Sequence, residues 1–214
     1  MKKIFILTLL LILCTGCIKI NEEDSKNKIV EEVINNKVAP NTMEMGYKYY
    51  LPLGINKIYD KDYNQIFKFE DNLIYLYVDA VSYFYKNSLN FNEENTVNTY
   101  FYRKITNGNK TGFIKITKEK DNMYFIKIVY NYAKIESYVE ESESTKVLTN
   151  SMIILNSLEY NDNLIKKILE DDYSLGAEKE YKIDKPKDTT SKFTEYLSEY
   201  VQNEETNISD LPEY

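Results

Sequence analysis

Between Tyr47 and Val139, apolar residues recur at alternate positions in short runs broken by Asn, Asp, Pro and Gly, the pattern of strands that turn one face to a core. The runs predict strands over 47–51, 55–59, 65–69, 73–85, 96–105, 111–118 and 123–139. Turn chemistry separates them at Pro52 and Gly54, at Asp60-Lys61-Asp62, at Asp71-Asn72, at Asn107-Gly108-Asn109 and at Lys120-Asp121-Asn122. Asn107-Gly108-Asn109 is the strongest hairpin signal of the set. The polar stretch 87–95, rich in asparagine, reads as a loop. Segments 65–85 and 111–139 share an order of short strand, Asp-Asn turn and long strand, which fits a duplicated hairpin and fits equally a coding bias toward such residues.

Helical spacing brackets this region. Ile29, Val30, Val33 and Ile34 predict a helix over 25–36, capped by Asp24 or Ser25 and stopped by Pro40-Asn41-Thr42. Leu148, Met152 and Leu155 predict another over 145–158, with a strand over 152–155 as the competing reading. Asn161-Asp162 is a cap for a short helix carrying Leu164, Ile165, Ile168 and Leu169. A strand over 173–183, interrupted near Gly176, precedes Pro186. Phe193, Tyr196, Leu197, Tyr200 and Val201 then stand at i, i+3, i+4, i+7 and i+8, the clearest amphipathic helix in the chain. Beyond Lys192 the charged residues are Glu195, Glu199, Glu204, Glu205, Asp210 and Glu213, all acidic, and 203–214 reads as a tail. A helix, then a run of strands, then helices describes one α+β domain over 25–202, a mostly antiparallel sheet covered by helices. This order is similar to that of PsbP/Mog1-like domains, a fold-level analogy without shared diagnostic residues.

The first residues are of another kind. Lys2 and Lys3 precede an apolar run over 4–13, about 15 Å of helix against a hydrocarbon core of about 30 Å, so it is too short to span a membrane and right for the core of a signal peptide. Cys14-Thr15-Gly16-Cys17 follows. These residues resemble the bacterial lipobox, with Thr15 and Gly16 at its small positions, Cys17 at the modified cysteine and Cys14 where leucine is usual. The resemblance implies a signal peptide over 1–16, lipidation of Cys17, a tether over 17–24, and a partner in the membrane itself. The abundance of Lys, Asn and Ile points to a low-GC Gram-positive bacterium, which would put the domain on the outer face of the cell membrane. Acyl chains contribute about 0.8 kcal/mol per buried methylene, enough for several together to anchor stably. Loss of Lys2 and Lys3 takes the net charge from −7 to about −9, and no cysteine follows Cys17.

Composition narrows the function. The chain of 214 residues has no histidine, which removes Ser-His-Asp and Cys-His sites, histidine-ligated zinc and histidine-held haem. Two cysteines preclude a disulfide framework, and the net charge of −7 argues against nucleic acid as a partner. No glycine-rich phosphate loop or G-x-S-x-G motif occurs, and Arg103 is the only arginine. No cofactor is expected. Asp60-Lys61-Asp62-Tyr63-Asn64 has the oxygen spacing that opens an EF-hand loop, but Gln65 stands where glycine is required, so a hairpin is the better reading. Asp79, set within an apolar run, is the candidate for a carboxylate-dependent cell-wall hydrolase. Glu140, Glu141 and Glu143 read as a solvated loop. The 21 tyrosines fall mainly on predicted strands, where they serve sheet packing or the recognition of sugar and protein. The leading expectation is a non-enzymatic module that binds a protein or an envelope polymer, with the hydrolase as the alternative.

Overall fold

The computed structural model describes residues 22–87, 96–120, 122–170 and Lys179. The signal peptide, Cys17, most of the tether, the body of the loop over 87–95, the helix over 193–201 and the acidic tail lie outside these residues, as does the strand over 173–183 apart from Lys179.

Helix α1 (Glu22–Asn35) leads into two short strands, β1 (Thr42–Met43) and β2 (Tyr47–Tyr49). A meander follows: β3 (Ile55–Lys61), β4 (Asn64–Phe69) and β5 (Asn72–Val78), ending in helix α2 (Ala80–Phe84). A second meander comprises β6 (Thr99–Asn107), β7 (Lys110–Lys118), β8 (Met123–Tyr130) and β9 (Ala133–Glu140). Helix α3 (Glu141–Ser157), strand β10 (Glu159–Tyr160) and helix α4 (Asp162–Glu170) close the described chain. The meanders join through antiparallel β5·β9 pairing into one seven-stranded sheet of order β3-β4-β5-β9-β8-β7-β6, and β1-β2-β10 form a small second sheet. The fold is α+β and mostly antiparallel, as the hydrophobic pattern predicts.

One face of the large sheet is the core. Phe67, Ile74, Leu76, Ile114, Ile116, Ile126, Ile128, Ile135 and Val139 alternate inward and meet Val147, Leu148, Met152, Ile154 and Leu155 of α3. Helix α1 adds Val30 and is tied at two places: Arg103 donates to the Asn27 carbonyl and pairs with Glu31, and the Asn156 amide donates to the Val33 carbonyl at 2.7 Å. Lys110 reaches the end of α3, its ammonium 2.7 Å from the Asn156 carbonyl, where cations satisfy the helix dipole. Burial lowers the Lys110 pKa there.

Three expectations need correction. The run over 73–85 is not one strand: β5 ends at Val78 and Asp79 caps α2, its carboxylate accepting the Ser82 N–H at 2.9 Å. The run over 123–139 is a hairpin, broken by Asn131 (φ 54°) and Tyr132 (φ 59°). Asn-Tyr lacks the glycine that advertises such a turn, and tertiary contacts hold it instead: Asn131 donates to the Leu158 carbonyl at 3.1 Å and Tyr160 donates to the Asn131 carbonyl at 2.7 Å. The segments 65–85 and 111–139 are therefore unlike, a hairpin with a helix in one and three strands in the other. Finally, Glu140 ends β9 while Glu141 and Glu143 open α3, where acids favour the positive helix end, so these three are not a loop. The competing strand over 152–155 is helix. Smaller shifts occur at α1, which starts three residues before the predicted 25, and at the β3–β4 hairpin, whose turn is Asp62-Tyr63 (φ 52° and 66°) with Asp60 and Lys61 still in the strand.

Two substitutions test this packing. A Cβ on Gly112 would lie 1.9 Å from the Val129 carbonyl oxygen, so Gly112→Ala is expected to cost about 3 kcal/mol or more in urea unfolding. The Tyr130 hydroxyl is buried without a hydrogen-bond partner, and burial raises its pKa to about 12. Between pH 10 and 12 the unfolded chain ionises at this residue before the folded one, so stability is retained below pH 10 and lost as pH rises through 12. Tyr130→Phe is expected to leave stability at pH 7 equal or raised by up to about 1 kcal/mol, and to reduce the alkaline loss, by denaturation at both pH values.

Candidate binding face

Asp79, the residue the sequence offered for catalysis, is committed to structure. Besides capping α2, it donates its backbone N–H to the Tyr132 carbonyl at 2.8 Å, which joins the end of β5 to the β8–β9 turn. Tyrosines gather around that junction. The Tyr83 and Tyr160 rings stack with centroids 3.8 Å apart, Tyr132 meets Tyr83 edge-on at 5.6 Å, and the Lys86 ammonium lies 3.8 Å from the Tyr83 centroid. Tyr83 donates to Asp162 at 2.9 Å, and burial together with that carboxylate raises its pKa to about 12. Burial, with the charge of Asp79, holds the Tyr160 phenol well above its usual value. These hydroxyls are protonated at neutral pH and engaged. The cluster fastens α2, α4 and the β8–β9 turn together at one end of the sheet.

A second cluster escaped the sequence reading. Lys57 lies between Glu44, at 2.7 Å, and Asp60, while Tyr49 donates to Gln65 at 2.9 Å beside them. Burial and the nearby Glu44 carboxylate push the Tyr49 phenol well up. Two carboxylates do converge here, but both are paired with one ammonium, at the junction of β2 with the β3 edge. Glu44 comes from the β1–β2 turn, Tyr49 from β2, Lys57 and Asp60 from β3 and Gln65 from β4, and no local motif announces the group.

The remaining surface of interest is the outward face of the large sheet. Registers place two rows across it: Lys61, Asn64, Tyr77, Lys134, Val129, Phe113 and Lys104 in one, and Tyr59, Ile66, Tyr75, Glu136, Lys127, Lys115 and Tyr102 in the next. Lys68 and the pair Phe125–Tyr138, with centroids 4.8 Å apart, flank them. Tyr102 stacks near Phe113 at 6.2 Å, and Lys134 pairs with Glu136 at 2.9 Å. Among the described residues, lysines thus outnumber carboxylates on this face, with Glu136 in its body and Glu140 at its rim, although the whole chain carries a net charge of −7. The described helices that pack on the sheet do so through the inner face. Phe113, Ile66 and Tyr75 in the middle of the outward face are buried, and the half-buried lysines and rings around them, with exposed Lys104, are suited to an anionic or ring-bearing ligand.

No family model, curated protein or solved structure matches this chain. No described helix is long and apolar enough to cross a membrane. Among the described residues no group of carboxylates and cysteines is arranged to hold a metal ion.

The capping role of Asp79 separates it from a catalytic one. Asp79→Ala is expected to lower unfolding stability by about 1 kcal/mol, while Asp79→Asn, which keeps the cap oxygen, stays within about 0.5 kcal/mol of the parent. Equal losses in the two variants, measured by thermal or urea unfolding, would contradict the capping assignment.

Proposed function

We infer that this protein is a lipid-anchored extracytoplasmic lipoprotein and a non-enzymatic binding module, whose partner is an envelope polymer or a protein of acidic surface. The observation that carries the reading is the outward sheet face, where Lys104, Lys115, Lys127, Lys134 and Lys68 stand among the half-buried rings of Tyr102, Phe125 and Tyr138 on an otherwise acidic chain. Ammonium groups attract phosphate or carboxylate groups along a polymer, with a strong dependence on salt. Tyrosine rings add flat apolar area against sugar faces or side chains.

The anchor supports the same reading. With Cys17 acylated, only 18–21 separate it from α1, which begins at Glu22. Four residues reach at most about 14 Å, so the domain is held close to the membrane surface, where envelope polymers are concentrated. The carboxylates that a hydrolase would need are engaged elsewhere, Asp79 at a helix cap and Glu44 with Asp60 at Lys57. The preferred role is therefore retention, not turnover.

The test is retention of the protein by purified cell wall across a salt series. Lys115→Gln combined with Lys127→Gln is expected to weaken retention severalfold at low salt, with unfolding stability close to the parent's. Unchanged retention would overturn the assignment to this face. Release of sugar fragments by the parent protein would replace the binding reading with a hydrolase.

A further inference from the structure

Two buried polar groups beside the β1–β2 turn have nothing to bond to. The Gln65 side chain is 0% exposed, and its amide nitrogen, which carries two N–H groups, meets no acceptor. The Tyr63 hydroxyl is buried and equally without a partner. A buried donor left unmade is costly, and a water or a ligand normally completes it. We propose that these two groups belong to a small binding site for a neutral sugar residue, framed by Glu44, Lys57, Asp60, Tyr63 and Gln65.

Contacts on both sides of one turn bring these residues together. The oxygen of the Gln65 amide accepts from Tyr49 at 2.9 Å, and the same Tyr49 hydroxyl lies 3.5 Å from a Glu44 carboxylate oxygen. The amide head of Gln65 therefore sits beside Glu44. Tyr63 approaches from the β3–β4 turn: its hydroxyl would lie 3.5 Å from a Cβ on Gly46, and its ring is 5.7 Å from that of Tyr47. Glu44 and Gly46 both belong to the β1–β2 turn, so the two open groups flank it. The way in is at Lys57 and Asp60, whose side chains are 30% and 35% exposed, against 13% for Glu44 behind them. Asp60 and Gln65 are cross-strand partners, and the next pair, Lys61 with Asn64, points to the outward face. The site thus lies on the other side of the sheet, and its assignment does not depend on the functional reading above.

The mixture of groups selects the ligand. An anion would face the Glu44 and Asp60 carboxylates, and a cation would meet N–H donors and the Lys57 ammonium. A peptide carbonyl can accept from Gln65 but has no proton to offer a carboxylate. A hydroxyl accepts and donates at once, so one sugar ring can accept from Gln65 and Tyr63 and donate to Glu44 or Asp60 without bringing in a charge. An ionised carboxylate has about four lone-pair sites, so pairing with Lys57 leaves each acid room for such a bond. The half-buried Tyr63 ring adds flat apolar area for the C–H side of a sugar.

The test follows the Gln65 side-chain amide of the isotopically labelled full chain by nitrogen–proton NMR during titration with glucose, with N-acetylglucosamine and, as the peptide arm, with triglycine. The expected result is a saturable shift of the Gln65 amide signals with at least one of the sugars and none with triglycine. Tyr63→Phe is expected to weaken that sugar about fivefold and Gln65→Met about tenfold. The thermal midpoint of Tyr63→Phe should equal or exceed the parent's, because the hydroxyl removed bonds to nothing within the protein. Lys115→Gln combined with Lys127→Gln should leave sugar affinity unchanged, which separates this site from the outward face. Absence of a shift with either sugar up to its solubility limit would overturn the proposal in favour of a trapped water only. A shift with triglycine alone would replace the sugar by a peptide. Sugar binding that neither Tyr63→Phe nor Gln65→Met weakens would place the ligand elsewhere, and a lowered midpoint in Tyr63→Phe would show that the hydroxyl is satisfied by the protein itself; either would overturn the site.

Discussion

Four cross-strand pairs between β5 and β9, from Tyr75 with Glu136 to Val78 with Ala133, hold the architecture together. Each meander can form locally through short turns, but neither alone has a sheet wide enough to carry α3. Joining them brings Val78 and Ala133 together across more than fifty residues, a closure that costs about 3.5 kcal/mol beyond a constant. Burial of Ile74, Leu76 and Ile135 against α3 offsets it, at about 1.5–3 kcal/mol for each large side chain. Polar contacts extend the seam at both ends: Ser137 donates to the Leu73 carbonyl at 2.7 Å, and the Asp79 N–H donates to the Tyr132 carbonyl.

That seam also creates the candidate binding face. Once α3, α1 and the small sheet cover one side of the seven strands, every residue of the other parity is gathered on the opposite side. Lysines from six different strands become neighbours there, although none is close to another in a sequence sense that would mark a basic motif. A lysine stem is apolar and its ammonium is satisfied by water or an acid, as Lys134 is by Glu136, so a lysine and tyrosine surface is compatible with a stable sheet. The same alternation that builds the core thus sorts the charge of an acidic protein into one basic area.

The hydrophobic pattern and the turn and cap residues predict the structure wherever local geometry alone carries the information. Asn107-Gly108-Asn109 turns β6 into β7, Asn161 caps α4 by accepting the Leu164 N–H at 3.1 Å, and Leu148, Met152 and Leu155 face the core from a helix. The pattern fails where β-favouring residues continue through a change of direction. Val81, Tyr83 and Phe84 look like strand, but the Asp79 cap and the packing of Tyr83 on Tyr160 make them helix. Tyr132 continues the alternation of β8 yet adopts a left-handed turn because Tyr160 and the end of α3 hold Asn131 beside it.

The sequence by itself determined an α+β domain with an inward-alternating antiparallel sheet, because periods of two and 3.6 residues are local consequences of backbone geometry. It also determined what chemistry is missing, since a chain without histidine cannot supply imidazole at any site. The candidate binding surface is decided only in three dimensions. Whether Asp79 is a cap or a catalyst, whether Glu44 and Asp60 are free or held by Lys57, and which tyrosines share a face with which lysines all depend on pairings between residues distant in the chain. Strand order and register set those pairings, and local sequence carries little of either, because many arrangements of the same strands satisfy the same alternation.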